Sequence, residues 1–308
     1  ERATNGNGSW GTFASGFGAN WGANQGSAGL DAAFADVDTA TFDNTGLTAG
    51  ASATVTLDGA APSLKSLTFN TTGGGFTLAA GTGGALTFKS NTGTASLTST
   101  AGTHTVTTAA ALASNLAVAV SANSLALNGV LSGAGSLSKS GNGLLTLGGA
   151  NTFTGGATVT GGKLALGHAS ALGSAAATVN GGELDLGGFT VANAVTLTTG
   201  TLSNGTLSNT TLAVAAGTVS ANLAGSTAVT KTGAGTATLN GGTLAIGNAA
   251  ALGTSTVTVA TGATLDLGGL DVTGATLLLN GGAIANATAY SGSVGFAAGI
   301  TSFGAAVE

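Results

Sequence analysis

The chain has 308 residues, 56 of them Gly and 1 Pro, with 6 Lys+Arg against 11 Asp+Glu. Six scattered cations exclude the basic footprint that nucleic acid requires, and 43% hydrophobic residues at a net charge of -5 exclude the disordered class, which pairs low hydrophobicity with high charge. The absence of Cys removes disulfides, thiol nucleophiles and Cys-bound metal together, and one Pro without a three-residue glycine period excludes collagen.

Residues 1–45 differ from the rest and read as an irregular cap or junction. Trp10, Phe13, Phe17, Trp21 and Phe34 cluster there, and both Trp of the chain are among them. These aromatics are expected to cover one end of a stack, its own or a neighbour's, and are the candidate self-association residues. Asp31, Asp36, Asp38 and Asp43 offer hard oxygen ligands of the kind calcium takes. Their spacing matches neither the EF-hand loop nor the Gly-Gly-x-Gly-x-Asp nonapeptide, so no metal is assigned and calcium stays an open question. The chain lacks Met and begins at Glu1, which reads as a boundary left by a removed signal peptide or as the edge of a fragment.

From residue 46 to 308 short segments alternate apolar residues with Thr, Ser or Ala, and Gly-Gly, Asn-Gly or Ala-Gly pairs bound them. Ser66-Leu67-Thr68-Phe69, Thr105-Val106-Thr107 and Leu277-Leu278-Leu279 are examples. Period two predicts strands with Leu, Val and Phe inward and the small polar residues outward. The longest weakly polar run, 108–120, is broken by Ser114 and Asn115 and is too short for a membrane-spanning helix, so none is expected.

Internal similarity decides the architecture. Lys139-Ser-Gly141-Asn-Gly143 returns as Lys231-Thr-Gly233-Ala-Gly235, 92 positions later. Ala165-Leu-Gly167-His-Ala returns as Ala245-Ile-Gly247-Asn-Ala at an offset of 80, and Leu184-Asp185-Leu186 as Leu265-Asp266-Leu267 at 81. The second copy thus lacks about twelve residues, the stretch containing Asn151-Thr-Phe153. A stacked array tolerates such a loss better than a closed barrel does. The expected fold is all-β, a parallel β-helix (β-solenoid) built of residues 46–308 behind the 1–45 cap. At ~20–25 residues per coil, 308 residues would make some 12 to 15 coils.

The segment Ser138-Lys139-Ser-Gly-Asn-Gly-Leu-Leu-Thr-Leu147, continuing through Asn151-Thr-Phe153-Thr-Gly-Gly to Val159, resembles the autotransporter-associated β-strand repeat of bacterial passenger domains. Trp21, Asp38-Thr-Ala-Thr-Phe42-Asp43-Asn44 and Ser66-Leu-Thr-Phe69-Asn70 are similar to the opening of such secreted repeat proteins. The resemblance implies a right-handed coil, export across the bacterial envelope, and an extracellular or cell-surface life in adhesion or aggregation. No run of alternating ~10-residue membrane strands follows, unlike a complete autotransporter.

The candidate site residues carry little chemistry. His104 reads as an outward or turn-corner residue at the head of a strand, and His168 as an exposed turn residue, since the second copy has Asn248 in its place. Glu183 and Asp185, two apart on one strand, look like a carboxylate pair for glycoside chemistry, but only Asp185 has a counterpart, Asp266. Gly73-Gly-Gly75 lacks the Lys and Ser/Thr of a phosphate loop. Lys139 and Lys231 read as solubilising residues on a sheet face, or else as ion-pair partners of the Asp-rich segment in another copy. No catalytic residue, cofactor or metal is assigned and no enzyme is expected.

The expectation for function is a secreted structural protein whose partners are copies of itself, joined head to tail into extracellular filaments or a coat, with residues 1–45 of one subunit covering the C-terminal rungs of the next. A surface or matrix polysaccharide is the other partner class considered. The alternative is the stalk of an adhesin passenger.

Overall fold

In a strand, successive side chains face opposite sides, so an apolar residue at every second position gives one greasy face and one hydroxyl-rich face. Most of the described strands realise this alternation. The structure, a computed structural model, describes residues 8–9, 39–43, 50–71, 73–208, 210–224, 228–231, 237–239, 242–246, 249, 252, 254 and 256–296. These are all-β, with parallel strands stacked as a β-solenoid of about 11 turns. The candidate residues Trp10, Phe13, Phe17, Trp21 and Phe34, with Asp31, Asp36 and Asp38, lie outside the described residues. The chain divides into two compact units, Glu1–Ala175 and Ala176–Glu308.

The first unit is a three-sided coil. One ladder carries Thr39–Asp43, Ser66–Asn70, Ala95–Ser99, Leu116–Val120, Leu137–Ser140 and Ala157–Val159. A second carries Ser52–Thr56, Gly75–Ala79, Thr103–Val106, Ser124–Leu127, Leu144–Leu147 and Lys163–Leu166. The third is short: Ser63–Leu64, Leu86–Phe88, Ala110–Leu112 and Leu131–Ser132. All of these pairings are parallel, so equivalent residues stand in columns. Leu67, Leu97, Val118, Lys139 and Val159 form one inward column, and His104, Leu125, Leu145 and Leu164 another.

Column positions give the coil length. Leu67 to Leu97 takes 30 residues, whereas Leu116 to Leu137 takes 21 and Leu137 to Ala157 takes 20. From Thr39 the described ladders run to Phe296, and the solenoid has about 11 turns, fewer than the expected 12 to 15. Gly turns permit the tight corners. Gly141 has φ +76°, and a Cβ there would lie 2.3 Å from the Val120 carbonyl oxygen of the rung below, so only glycine fits.

The second unit stacks in the same way with shorter coils, 17 residues from Val195 to Leu212 and from Leu212 to Val229. Its longest strands turn a corner without ending. Ala177–Asp185 runs through Asn180-Gly181-Gly182 with a bulge against Val195–Ser203, so a dipeptide expected to bound strands bends one instead.

The twelve missing residues have a structural consequence. In the first unit Leu144–Leu147 pairs with Lys163–Leu166. In the second, Ala237–Leu239 pairs with Thr256–Ala260, while Gly242–Ala245, the counterpart of Lys163–Leu166, belongs to a separate ladder with Ala263–Asp266 and Ala283–Ala285. The omitted segment comprises the strand Ala157–Val159 and the corner before it. In the first unit Phe153 fills that corner, fully buried, and Asn151 staples it across rungs, accepting from Leu131 N–H (2.8 Å) and donating to the Ala171 carbonyl (2.7 Å).

Candidate functional site

Both histidines are placed. His168 is exposed, and its Nδ1 accepts from Ser170 N–H at 3.0 Å, as a turn residue would. His104 corrects the sequence reading: it is fully buried, because it shares the inward parity of Val106 two residues on. Its ring stacks on Phe69 at 4.6 Å and 11°, beside a cluster in which Phe42, Phe69 and Phe76 meet at 5.4–6.3 Å. Nδ1 accepts from Phe76 N–H at 3.0 Å, and Nε2 lies 2.7 Å from the Ala101 carbonyl oxygen. Burial pushes the imidazole below its ordinary pKa, only partly opposed by the Ala101 contact. The imidazole is thus enclosed, with both ring nitrogens engaged by backbone groups.

Lys139 is the second correction. Expected on a sheet surface, it sits wholly inside the coil in the column of Leu97, Val118 and Val159. Its Nζ donates to the carbonyl oxygens of Ser140 (2.8 Å), Gly141 (2.8 Å) and Gly161 (3.1 Å). Three carbonyl dipoles replace water without neutralising the charge, and desolvation lowers the pKa to about 8. Lys231 lies on the strand Ala228–Lys231. Parity with Leu137 was the signal in the sequence that placed Lys139 inside.

The carboxylates are turn fasteners. Asp185 Oδ1 accepts from Gly187 N–H and from Asn204 Nδ2, each at 2.8 Å, and so ties a turn to the next rung. Asp266 repeats the device with Gly268 N–H at 2.8 Å and Asn286 Nδ2 at 2.9 Å. Asn204 and Asn286 have φ of +53° and +50°, the left-handed backbone that Asn tolerates. Glu183 accepts from Ser203 Oγ at 2.6 Å. The pair suspected of glycoside chemistry is thus bound into the wall of the coil, not set around a cleft. Among the described residues no group of three or more His, Cys, Asp or Glu could hold a metal ion. Asp43 is exposed on the strand Thr39–Asp43.

Among the described residues the single exposed large hydrophobic is Val130, at 41%, and no helix is long and apolar enough to cross a membrane. The last described rung is different. Ile284, Val294 and Tyr290 stand in register above Leu265, Leu277 and Val272. The three lower residues are fully buried, the three upper ones only half-buried. The Tyr290 hydroxyl donates to the Ala275 carbonyl, and burial raises the phenol pKa. Among the described residues the strands Ala283–Ala285 and Ala289–Phe296 pair on one side only. Parallel strands carry hydrogen-bonding groups on both edges, and among the described residues those on the far edge of this rung have no ladder partner. Compared with family models, curated proteins and solved structures, the chain matches none.

Proposed function

We propose that the chain is a non-enzymatic structural protein of the bacterial exterior, a β-solenoid that associates with copies of itself end to end into filaments or a coat. The observation that carries the reading is the contrast between side and end. The walls expose Thr, Ser and Ala in ordered columns with almost no apolar area, while the rung of Ala283–Ala285 and Ala289–Phe296 leaves Ile284 and Val294 half-buried above a fully buried column. Apolar surface and ladder edges at the last described rung favour a head-to-tail contact, and a head-to-tail contact that does not close produces a filament. Export is supported by the passenger-repeat resemblance around Lys139 and by the lack of Cys, which leaves folding indifferent to the redox state outside the cell.

The test is light scattering over a concentration series. The parent chain is expected to grow in mass with concentration. The Ile284→Lys/Val294→Lys variant, with two charges on the end of the stack, is expected to stay at the mass of one chain while keeping its β circular dichroism. Equal growth of both proteins would overturn the reading of this end as the contact. A parent chain that never grows would favour the stalk of a longer adhesin.

A further inference from the structure

His104 is a titratable group in a position that the next three rungs of its column give to leucine. Leu125, Leu145 and Leu164 follow it rung by rung, all fully buried. Its ring does the work of a backbone carbonyl. The ladder between Gly75–Ala79 and Thr103–Val106 is in register at Thr77↔Thr105 and Leu78↔Val106, and just ahead of it Phe76 N–H turns to Nδ1 of His104. A donor facing Nδ1 fixes the tautomer: Nδ1 is bare and the proton is on Nε2, which donates to the Ala101 carbonyl. Thr71 Oγ1 donates to the same carbonyl at 2.7 Å and lies 3.3 Å from Nε2. Gly102, at φ +88°, closes the turn over the ring so tightly that a Cβ there would stand 3.0 Å from Nε2.

Every polar atom of the ring is therefore committed in the neutral state, and the neutral state alone fits. We propose that His104 is an acid-sensitive latch: its protonation sets a second ring N–H against Phe76 N–H at 3.0 Å, breaks the tie between the two strands and opens the coils that carry the Phe42–Phe69–Phe76 stack. The strands packed around the ring offer no relief. Ser66–Asn70, Gly75–Ala79, Ala95–Ser99 and Ser124–Leu127 carry no ionisable side chain, and Asp43, the charged residue of Thr39–Asp43, is exposed. Stacking on Phe69 favours a cation weakly, but a ring face does not supply the missing acceptor. Burial acts in the same direction, holding the folded-state pKa below the ordinary 6.5.

The sign follows from proton counting. Between pH 6.5 and the lower folded value the unfolded chain binds the extra proton and the folded chain does not, so stability is complete above 6.5 and is lost as pH falls. One proton changes the opening equilibrium by at most about tenfold per pH unit. The latch is independent of the proposed end-to-end assembly.

The experiment is hydrogen exchange of the full chain, corrected for intrinsic rates, at pH 7.5, 6.5, 5.5 and 4.5, in a His168→Gln background that leaves one histidine. The Phe76 amide and its neighbours in 75–79 and 103–106 are expected to lose protection up to about tenfold per unit below pH 6.5, while 144–147 and 163–166 hold theirs. The His104→Asn variant, whose side-chain carbonyl can accept but not titrate, is expected to flatten that slope. Ring nitrogen resonances of the unmutated His104 give a second reading that needs no substitution at this site. They should report a bare Nδ1 at pH 7.5 and a midpoint below 6.5. Protection independent of pH, an equal slope in His104→Asn, or a ring that titrates at or above 6.5 would overturn the latch.

Discussion

A lysine enclosed by three carbonyl oxygens and no carboxylate keeps its charge at neutral pH at the expense of the folded state. Free lysine side chains ionise near 10.5, and Lys139 does so near 8. Between those values the unfolded chain holds a proton that the folded chain has released, so stability rises with pH through that window and is reduced, at a constant level, below it. The unfolding midpoint of the parent chain in urea is therefore expected to increase from pH 8 to pH 10, and that of Lys139→Met to be flatter over the same range. A variant whose pH slope matches the parent would mean that the ammonium is solvated. The three carbonyls explain why the side chain is tolerated: Ser140, Gly141 and Gly161 lie at the glycine corner where the coil turns, within reach of a long flexible amine.

At the scale of the element, one fastening recurs. A strand ends in Leu-Asp-Leu-Gly-Gly, the Asp accepts from the glycine amide two residues on, and an Asn of the following coil donates to the same carboxylate. The bond joins neighbours both along the chain and between coils, which suits a stack whose corners are otherwise glycine. Asp185 is buried and Asp266 is partly exposed, where water competes. Asp185→Ala is expected to cost about 1–2 kcal/mol and Asp266→Ala about 1 kcal/mol or less, read as urea midpoint shifts with a probe in the second unit. The reverse order would show that the buried carboxylate is strained rather than stabilising. The repeat offset of 81 linked these two aspartates in the sequence; the asparagines that complete each fastening were not legible, because they come from the next coil and coil length varies from 17 to 30 residues.

For the whole molecule, period-two alternation and the internal copies were enough to specify parallel stacked strands, since nothing else buries Leu67, Leu97 and Val118 in one column. Polar residues inside the coil were harder to see. His104 and Lys139 follow the inward parity of Val106 and Leu137, but residue type outweighed position, and the backbone partners that make them tolerable lie 1 to 28 residues away in the chain. The half-buried Ile284 and Val294 above a fully buried column were visible only once the columns were aligned.

If chains join by continuing the stack, the strand spacing must run along the filament. X-ray diffraction from aligned fibres of the assembled chain tests this most directly. The account predicts a sharp meridional reflection near ~4.8 Å, the interstrand repeat, parallel to the long axis. Filaments whose ~4.8 Å reflection lies on the equator, or preparations that remain at one chain's mass at every concentration, would contradict it.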